Sequence, residues 1–142
     1  MGVCSMDEDK TRAVGQWLRK ARHDLRSAHR LYTDTPPLLD TAAYHCQQAA
    51  EKALKGYLTQ HDIPFRKTHL LVPLVAECAR IDPQFDALAD AAATLTPFAT
   101  EFRYPGEGLD PEPADVVEAM QLAQTVVEFV LNRLPPDLKE EK

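Results

Sequence analysis

Several arginines near the start of the chain have a spacing that could bind phosphate groups. They recur every three or four residues, as Arg19, Arg22, Arg26 and Arg30, with His23 and His29 beside them. On a helix this spacing puts side chains on one face, and a guanidinium group binds a phosphate through two parallel hydrogen bonds. The pattern therefore predicts a stripe for phosphates or for an acidic partner. A solvated helix face has the same pattern, and that alternative stays open.

A second group of polar residues follows a helical spacing further along the chain. Gln47, Glu51 and Lys55 stand four residues apart, next to a face rich in alanine. Glu51 followed by Lys55 is a favourable order for an ion pair on a helix, which is one sufficient explanation. The other is that the alanines bring a second helix close, so that the polar groups form the wall of a cleft for a nucleotide or RNA.

The third candidate is the segment Arg103-Tyr104-Pro105-Gly106. Proline and glycine end a helix, so Arg103 is predicted in or just after a last helical turn. An arginine there can satisfy the negative end of the helix, or its guanidinium can bind a phosphate. Tyr104 could stack on a base or donate a hydrogen bond. We predict nucleotide or RNA binding at both residues, with helix capping as the alternative.

The sequence lacks the common catalytic and cofactor motifs. It has no glycine-rich phosphate loop, no Gly-x-Ser-x-Gly segment and no His-Glu-x-x-His or Glu-x-x-His pair. The three cysteines have no Cys-x-x-Cys spacing, and Cys46 and Cys78 fall on apolar faces. We therefore predict no catalytic residue, no metal site and no cofactor, with both cysteines in the core.

Apolar residues recur at helical spacing through most of the chain, which predicts an all-α fold. Short connections favour an up-and-down antiparallel bundle of four to five helices. The predicted helices are about 9–32, about 39–60, one capped by Thr68, one from Pro83 that Pro97 kinks or splits, and about 114–134, with an irregular loop over 104–113. The domain is predicted at 9–134, with flexible termini at 1–8 and 135–142. Buried positions in the third and fourth helices are predicted to include Leu70, Ala89 and Phe102.

Composition limits the classes of protein further. The 142 residues carry a formal net charge of −6, which argues against nonspecific nucleic-acid binding over the whole surface. The charge is uneven: residues 1–33 hold seven Lys or Arg against four acids, and residues 101–142 hold four against ten. No signal peptide and no apolar run long enough for a membrane span appear, so we predict a cytoplasmic protein without membrane contact.

Three segments resemble the HEPN domain family of bacteria and archaea. They are WLRKARHDLRSA at residues 17–28, YHCQQAAEKALKG at 44–56, and Arg103 to Gly106. The second is the most specific, and the resemblance covers roughly residues 12–134. It implies a helical bundle, often a homodimer, with a cleft that binds a nucleotide or cleaves RNA. It also implies pairing with a minimal nucleotidyltransferase, in an arrangement like a toxin and its antitoxin.

Ribonucleases of this family are expected to have a histidine four to six residues after an arginine, and this chain departs from that pattern. No histidine follows Arg103. Tyr104 or Glu107 could replace it chemically. The resemblance therefore predicts a protein that binds a nucleotide or RNA and acts with a nucleotidyltransferase. The alternatives are a metal-independent ribonuclease toxin with an altered site and a purely structural dimerisation bundle.

Overall fold

A computed structural model describes residues 2–100, 105 and 110–139, and it confirms the all-α helical bundle. Its helices are α1 (Gly2–Thr33), α2 (Leu39–Gln60), α3 (Leu71–Ile81), α4 (Ala89–Leu95), α5 (Pro113–Leu131) and α6 (Pro136–Lys139). Two 3-10 segments, Pro83–Leu88 and Thr96–Ala99, lie on either side of α4. No strand occurs in these described ranges.

The antiparallel pair α1 and α2 forms the main contact of the bundle. Buried alanines line both helices, and α2 has the bounds that the sequence predicts. At Gly56 a Cβ atom would lie 3.2 Å from Trp17 Cβ, so only hydrogen fits there without displacing a neighbour. Small side chains therefore set the distance between the two helices.

Both ends of the chain carry more helix than the sequence predicts. Helix α1 begins at Gly2 rather than near Asp9, because no proline or glycine interrupts residues 3–8. At the other end α5 ends at Leu131, before the predicted end near residue 134, and α6 follows from Pro136, with Leu138 6% exposed. The first part of the segment 135–142, which was predicted to be flexible, is therefore packed on the bundle. Burial of the apolar Leu138 side chain favours this packing.

Helix α3 begins later than the Thr68 cap predicts. Thr68 Oγ1 accepts a hydrogen bond from the Leu70 amide at 3.0 Å, whereas the helix begins at Leu71. The Leu71 amide donates to Thr96 Oγ1 at 3.2 Å. Leu70 is extended and 55% exposed, so its prediction as a buried residue was wrong. The helical period does not apply to a residue that precedes the helix.

The predicted fourth helix is split into three short pieces. Asp82 accepts a hydrogen bond from the Gln84 amide at 3.0 Å where the first 3-10 segment begins. Pro97 lies in the second 3-10 segment, which confirms the predicted break. Ala89 was predicted to be buried but is exposed. A 3-10 helix has about three residues per turn, fewer than an α-helix, so different residues of this segment face the core. Phe102 lies outside the described residues.

The end of α5 is fastened to the segment that follows α3. Arg133 Nε donates to Asp82 Oδ2 at 3.1 Å, and its guanidinium group lies 3.5 Å from the ring centroid of Phe129. Phe129 also packs edge-on against Phe85, with ring centroids 4.9 Å apart. This cluster joins α5 to the 3-10 segment before α4.

The core contains Cys46 and Cys78, as the sequence predicts, and both are free thiols. Burial raises the pKa of each thiol to about 12. Both therefore stay protonated at neutral pH and behave as small apolar groups.

Among the residues that the structure describes, no helix has the length and hydropathy of a membrane span.

We predict that Gly56→Val destabilises the protein by about 1–3 kcal/mol, because overpacking of this size forces the α1–α2 contact apart. Denaturant unfolding measures the change. Gly15→Ala is the matched control: a Cβ at Gly15 meets nothing within 4 Å, and alanine is the better helix former, so stability should be equal or higher. Unchanged stability in Gly56→Val would contradict the close approach.

Candidate functional site

Gln47, Glu51 and Lys55 lie together, but inside the protein rather than on an open cleft. Their exposures are 0%, 4% and 7%. Lys55 Nζ donates to Glu51 Oε2 at 2.9 Å, and Gln47 Nε2 donates to Glu51 Oε1 at 3.1 Å. Gln48 completes the group by donating to Gln47 Oε1 at 2.7 Å. We call these four residues the Glu51 cluster. Of the two explanations that the sequence leaves open, the Glu51–Lys55 ion pair is present. The side chains do not line an open cleft, because other segments cover them.

The cover comes from the chain after α2 and from α1. His69 Nδ1 lies 3.0 Å from Glu51 Oε1, and the His69 carbonyl accepts a hydrogen bond from Gln47 Nε2 at 2.9 Å. The Lys55 ammonium lies 5.8 Å from the ring centroid of Trp17 and 5.5 Å from that of Phe65. The segment before α3 therefore runs back along α2 and closes over the polar residues.

Burial and hydrogen bonding act in opposite directions on Glu51. Burial alone raises the pKa of its carboxyl group, but hydrogen bonds from Lys55, His69 and Gln47 outweigh it and leave the pKa below its ordinary value of 4.5. Glu51 is therefore ionised at neutral pH and balances the buried charge of Lys55. Among the described residues, no buried side-chain nitrogen or oxygen lacks a hydrogen-bond partner.

A second buried carboxylate, Asp24, joins α1 to α2. Its Oδ1 lies 2.7 Å from His45 Nδ1, and its Oδ2 accepts a hydrogen bond from Lys52 Nζ at 2.6 Å. The side chain of Asp24 is 9% exposed, against 27% for His45 and 24% for Lys52. We call these three residues the Asp24 triad. Asp24 is sealed between the helices, while its two partners reach the surface.

No spacing in the sequence predicts a role for Asp24, His45, Lys52 or His69. One signal was available for Asp24, which lies three residues after Ala21 and four before Ala28 on the buried face of α1. A carboxylate at such a position requires a buried partner, because an unpaired buried charge is costly. Its partners on α2 are far away in sequence, so no spacing rule could identify them.

Two surface grooves lie along the basic stripe of α1. The groove between α1 and α2, of about 550 Å³, is lined by His23, Arg26, Ser27, Arg30, Leu31, Thr41 and His45. The groove on the α5 side, of about 750 Å³, is lined by Arg22, His23, Leu25, Arg26, His29, Arg30, Thr33 and Gln124. Neither lining includes a carboxylate. Arg26 and Arg30 face both grooves, and neither forms an ion pair within the described part of the chain.

The remaining predicted residues lie elsewhere. Arg19 is separate from these grooves and lines another one beside α6, with Asp137 and Leu138. Arg103, Tyr104 and Glu107 lie outside the described residues. In the described ranges, no group of three or more His, Cys, Asp or Glu side chains is placed to hold a metal ion.

We predict that Glu51→Gln destabilises the protein by about 3–5 kcal/mol at neutral pH, since it leaves the Lys55 ammonium buried without a counterion. The wild-type protein should also lose stability as the pH falls below 4.5. There the unfolded carboxyl group binds a proton while the folded one resists it, so acid favours unfolding. Denaturant unfolding above and below this pH measures both effects.

Two variants control this experiment. Glu77→Gln removes a carboxylate from an exposed pair with Arg80 at 3.6 Å and should change stability by less than about 1 kcal/mol. Glu51→Gln combined with Lys55→Met should cost less than the sum of the single changes, because neither charge then remains. Additive costs, or an acid dependence that Glu51→Gln leaves unaltered, would contradict the buried pair.

Comparison with known proteins gives a family match and two similar structures. The crystal structure of TT1696 from Thermus thermophilus is 27% identical with a TM-score of 0.74, and covers 85% of this chain and 98% of its own. ST0689, an archaeal HEPN homologue, is 27% identical with a TM-score of 0.65, and covers 84% and 96%. No curated protein matches the chain significantly.

The family model that matches is that of the HEPN domain, over residues 14–134. The match includes α2, the Asp24 triad, the Glu51 cluster and both basic grooves. Because it spans most of the 142 residues, the chain belongs to the HEPN domain family.

Proposed function

We propose that this HEPN-domain protein binds the phosphates of a nucleotide or an RNA on the basic face of α1. The observation that carries the proposal is the lining of the two grooves beside α1. Arginine and histidine contribute most of the polar groups there, and no carboxylate competes with a bound anion. The family is one of nucleotide-binding and ribonuclease-like domains, which agrees with an anionic ligand.

Arg26 and Arg30 are the strongest candidates for phosphate contact. They stand one helical turn apart on α1, both are exposed, and both line the two grooves. Without an ion-pair partner in the described ranges, their guanidinium groups keep all their donors for a ligand. A phosphate can accept two of these donors from each group. Arg22 lines the second groove and would add a third positive charge.

The negative overall charge restricts the binding of nucleic acid to this basic face. With a net charge of −6 the protein as a whole repels nucleic acid, so attraction depends on where the cations lie. The cluster on α1 would hold a phosphate locally while the acidic remainder weakens contact elsewhere. We infer a ligand that presents its phosphates to one helix face, such as a nucleotide or a single-stranded RNA.

The other predicted binding residues have different places in this proposal. Gln47, Glu51 and Lys55 would act indirectly, by holding α2 against its neighbours, because they are nearly inaccessible. Arg103 and Tyr104 stay candidates for ligand contact. Arg19 would serve the separate groove beside α6.

We also propose that the protein acts as a homodimer in the cytoplasm, together with a minimal nucleotidyltransferase, as in a toxin–antitoxin pair. This part rests on the family resemblance. We predict that the chain co-purifies with the product of the neighbouring reading frame and that this product is a small nucleotidyltransferase. Affinity purification followed by mass spectrometry measures the complex and any attached nucleotide. A neighbouring product of another class would contradict the pairing.

A purely structural dimerisation bundle is the second candidate. Leu70 and Val72, at the start of α3, are 55% and 47% exposed. Apolar side chains in such positions favour protein contact, although two residues form a small patch. In that case changes to Leu70 and Val72 would break a dimer, while changes in the grooves would be silent.

We predict that Arg26→Glu with Arg30→Glu lowers the affinity for a labelled single-stranded RNA, or for ATP, by at least about tenfold per arginine. A hydrogen bond to a charged group contributes about 1.5–3 kcal/mol, and the new carboxylates add repulsion. Fluorescence anisotropy at several salt concentrations measures the affinity. The variant should also depend less steeply on salt, because fewer counterions are displaced.

Arg66→Glu with Arg80→Glu is the matched control. It changes the net charge equally, at exposed arginines that line neither of the two grooves nor the one beside α6. Equal loss of affinity in the two variants would indicate a general charge effect and would contradict the site. Absence of binding by the wild-type protein would reject the proposal.

A further inference from the structure

We propose that Asp40 and Tyr44 form a subsite for the ribose and base of a ribonucleotide whose 5′-phosphate is bound at Arg26 and Arg30. This inference rests on the proposed phosphate binding and deepens it, because it names the class of ligand that the site selects. The ligand is a ribonucleoside 5′-phosphate unit with free 2′- and 3′-hydroxyl groups. A free nucleotide and the 3′ end of an RNA both present this unit.

A further groove adjoins the groove between α1 and α2. It has a volume of about 320 Å³ and is lined by Asp40, Thr41, Tyr44 and His45. Thr41 and His45 also line the first groove, so the two grooves are contiguous along one turn of α2. Asp40 and Tyr44 stand four residues apart, which places them on the same face of the helix. One ligand can therefore extend through both grooves.

The two grooves differ in the charge that they present to a ligand. The first has arginine and histidine in its lining and no carboxylate. The second contains the carboxylate of Asp40 and neither arginine nor lysine. Asp40 repels a second phosphate group, whereas it can bind a neutral group that donates hydrogen bonds. The pair of grooves therefore fits a ligand with one anionic end and one neutral end that carries hydroxyl groups.

The Asp40 carboxylate is oriented within its own helix and keeps one oxygen for a ligand. The Thr41 amide donates to Asp40 Oδ1 at 2.8 Å, and the Thr41 hydroxyl donates to the same oxygen at 3.4 Å. Oδ2 has no hydrogen-bond or ion-pair partner within the described part of the chain. An ionised carboxylate only accepts hydrogen bonds, and the neighbouring hydroxyl groups of a ribose are matching donors. A carboxylate binds the ribose 2′-hydroxyl in the same way in dinucleotide-binding folds.

Tyr44 provides an aromatic surface for the base. Its ring is half-buried and packs edge-on against the ring of His45, with centroids 5.5 Å apart. His45 is held in turn by Asp24, whose Oδ1 lies 2.7 Å from Nδ1. These contacts restrain the Tyr44 ring before a ligand binds, so little freedom is lost when a base stacks on it.

Calorimetric titration of the full chain with AMP and with its 2′,3′-dideoxy analogue tests the subsite. We expect AMP to bind at least about tenfold more tightly, since a hydrogen bond from a hydroxyl to a carboxylate contributes about this factor. Asp40→Ala should remove the preference and leave the affinity for the analogue within about threefold, because the phosphate contacts at the arginines remain. Tyr44→Leu should weaken both ligands by about tenfold, because both carry a base that stacks.

Asp34→Ala is the matched control for Asp40→Ala. Asp34 also accepts a hydrogen bond from the next amide, at 2.8 Å, but it lines none of these grooves. The Asp34→Ala protein should therefore keep the preference for AMP. Circular dichroism checks that all the variants fold. An equal effect of the two aspartate changes overturns this inference.

A short RNA with a 3′-hydroxyl end, compared with the same RNA carrying a 3′-phosphate, distinguishes the two sources of the ligand. Binding of AMP identifies the free nucleotide, and a preference for the 3′-hydroxyl RNA without binding of AMP identifies the RNA end. Equal affinity for AMP and its analogue overturns this inference and leaves the proposed function intact. Equal affinity for the two RNAs, without binding of AMP, has the same consequence. A wild-type protein that binds no nucleotide and no RNA overturns both.

Discussion

The close packing of α1 against α2 is the constraint on which the rest of the structure depends. Gly56 lets the helix backbones approach so closely that a Cβ would lie 3.2 Å from that of Trp17. Alanines such as Ala21 and Ala53 are fully buried along the same contact. Large side chains at these positions would separate the helices, and the polar groups between them would then be open to water. Close packing of this kind fixes one arrangement, because a well-packed interface has few alternatives.

That packing buries two carboxylates, and each of them needs a cation close by. Asp24 and Glu51 are both nearly inaccessible, and a buried charge is tolerated only with partners. Lys52 and Lys55, on the same helix, provide one cation for each. Such pairs need not increase stability over apolar residues of similar size. The Asp24–Lys52 pair also fixes how the helices align, since a shift of α1 along α2 would leave Asp24 buried without its partner.

The same two helices connect this interior to the surface. His45 accompanies a sealed aspartate on one side and reaches the groove with Arg26 on the other. The protein is acidic overall, but the linings of the two grooves contain arginine and histidine and no carboxylate. Helix α1 can therefore pack through its alanines and still expose its arginines, because the helical spacing places the two sets of side chains on different faces.

Local pattern determined most of the fold. The spacing of the apolar residues predicted the bounds of α2, and Pro97 predicted the break in the fourth helix. The family motif at residues 44–56 identified α2 as the central helix. The pattern failed at Leu70 and Ala89, where a helix start and a 3-10 turn interrupt the period. Only the tertiary structure decided that Glu51 is buried and that Asp24 meets His45. The spacing of apolar residues shows which face of a helix is buried. The partners of a buried charge, however, are atoms that folding brings together from distant parts of the chain.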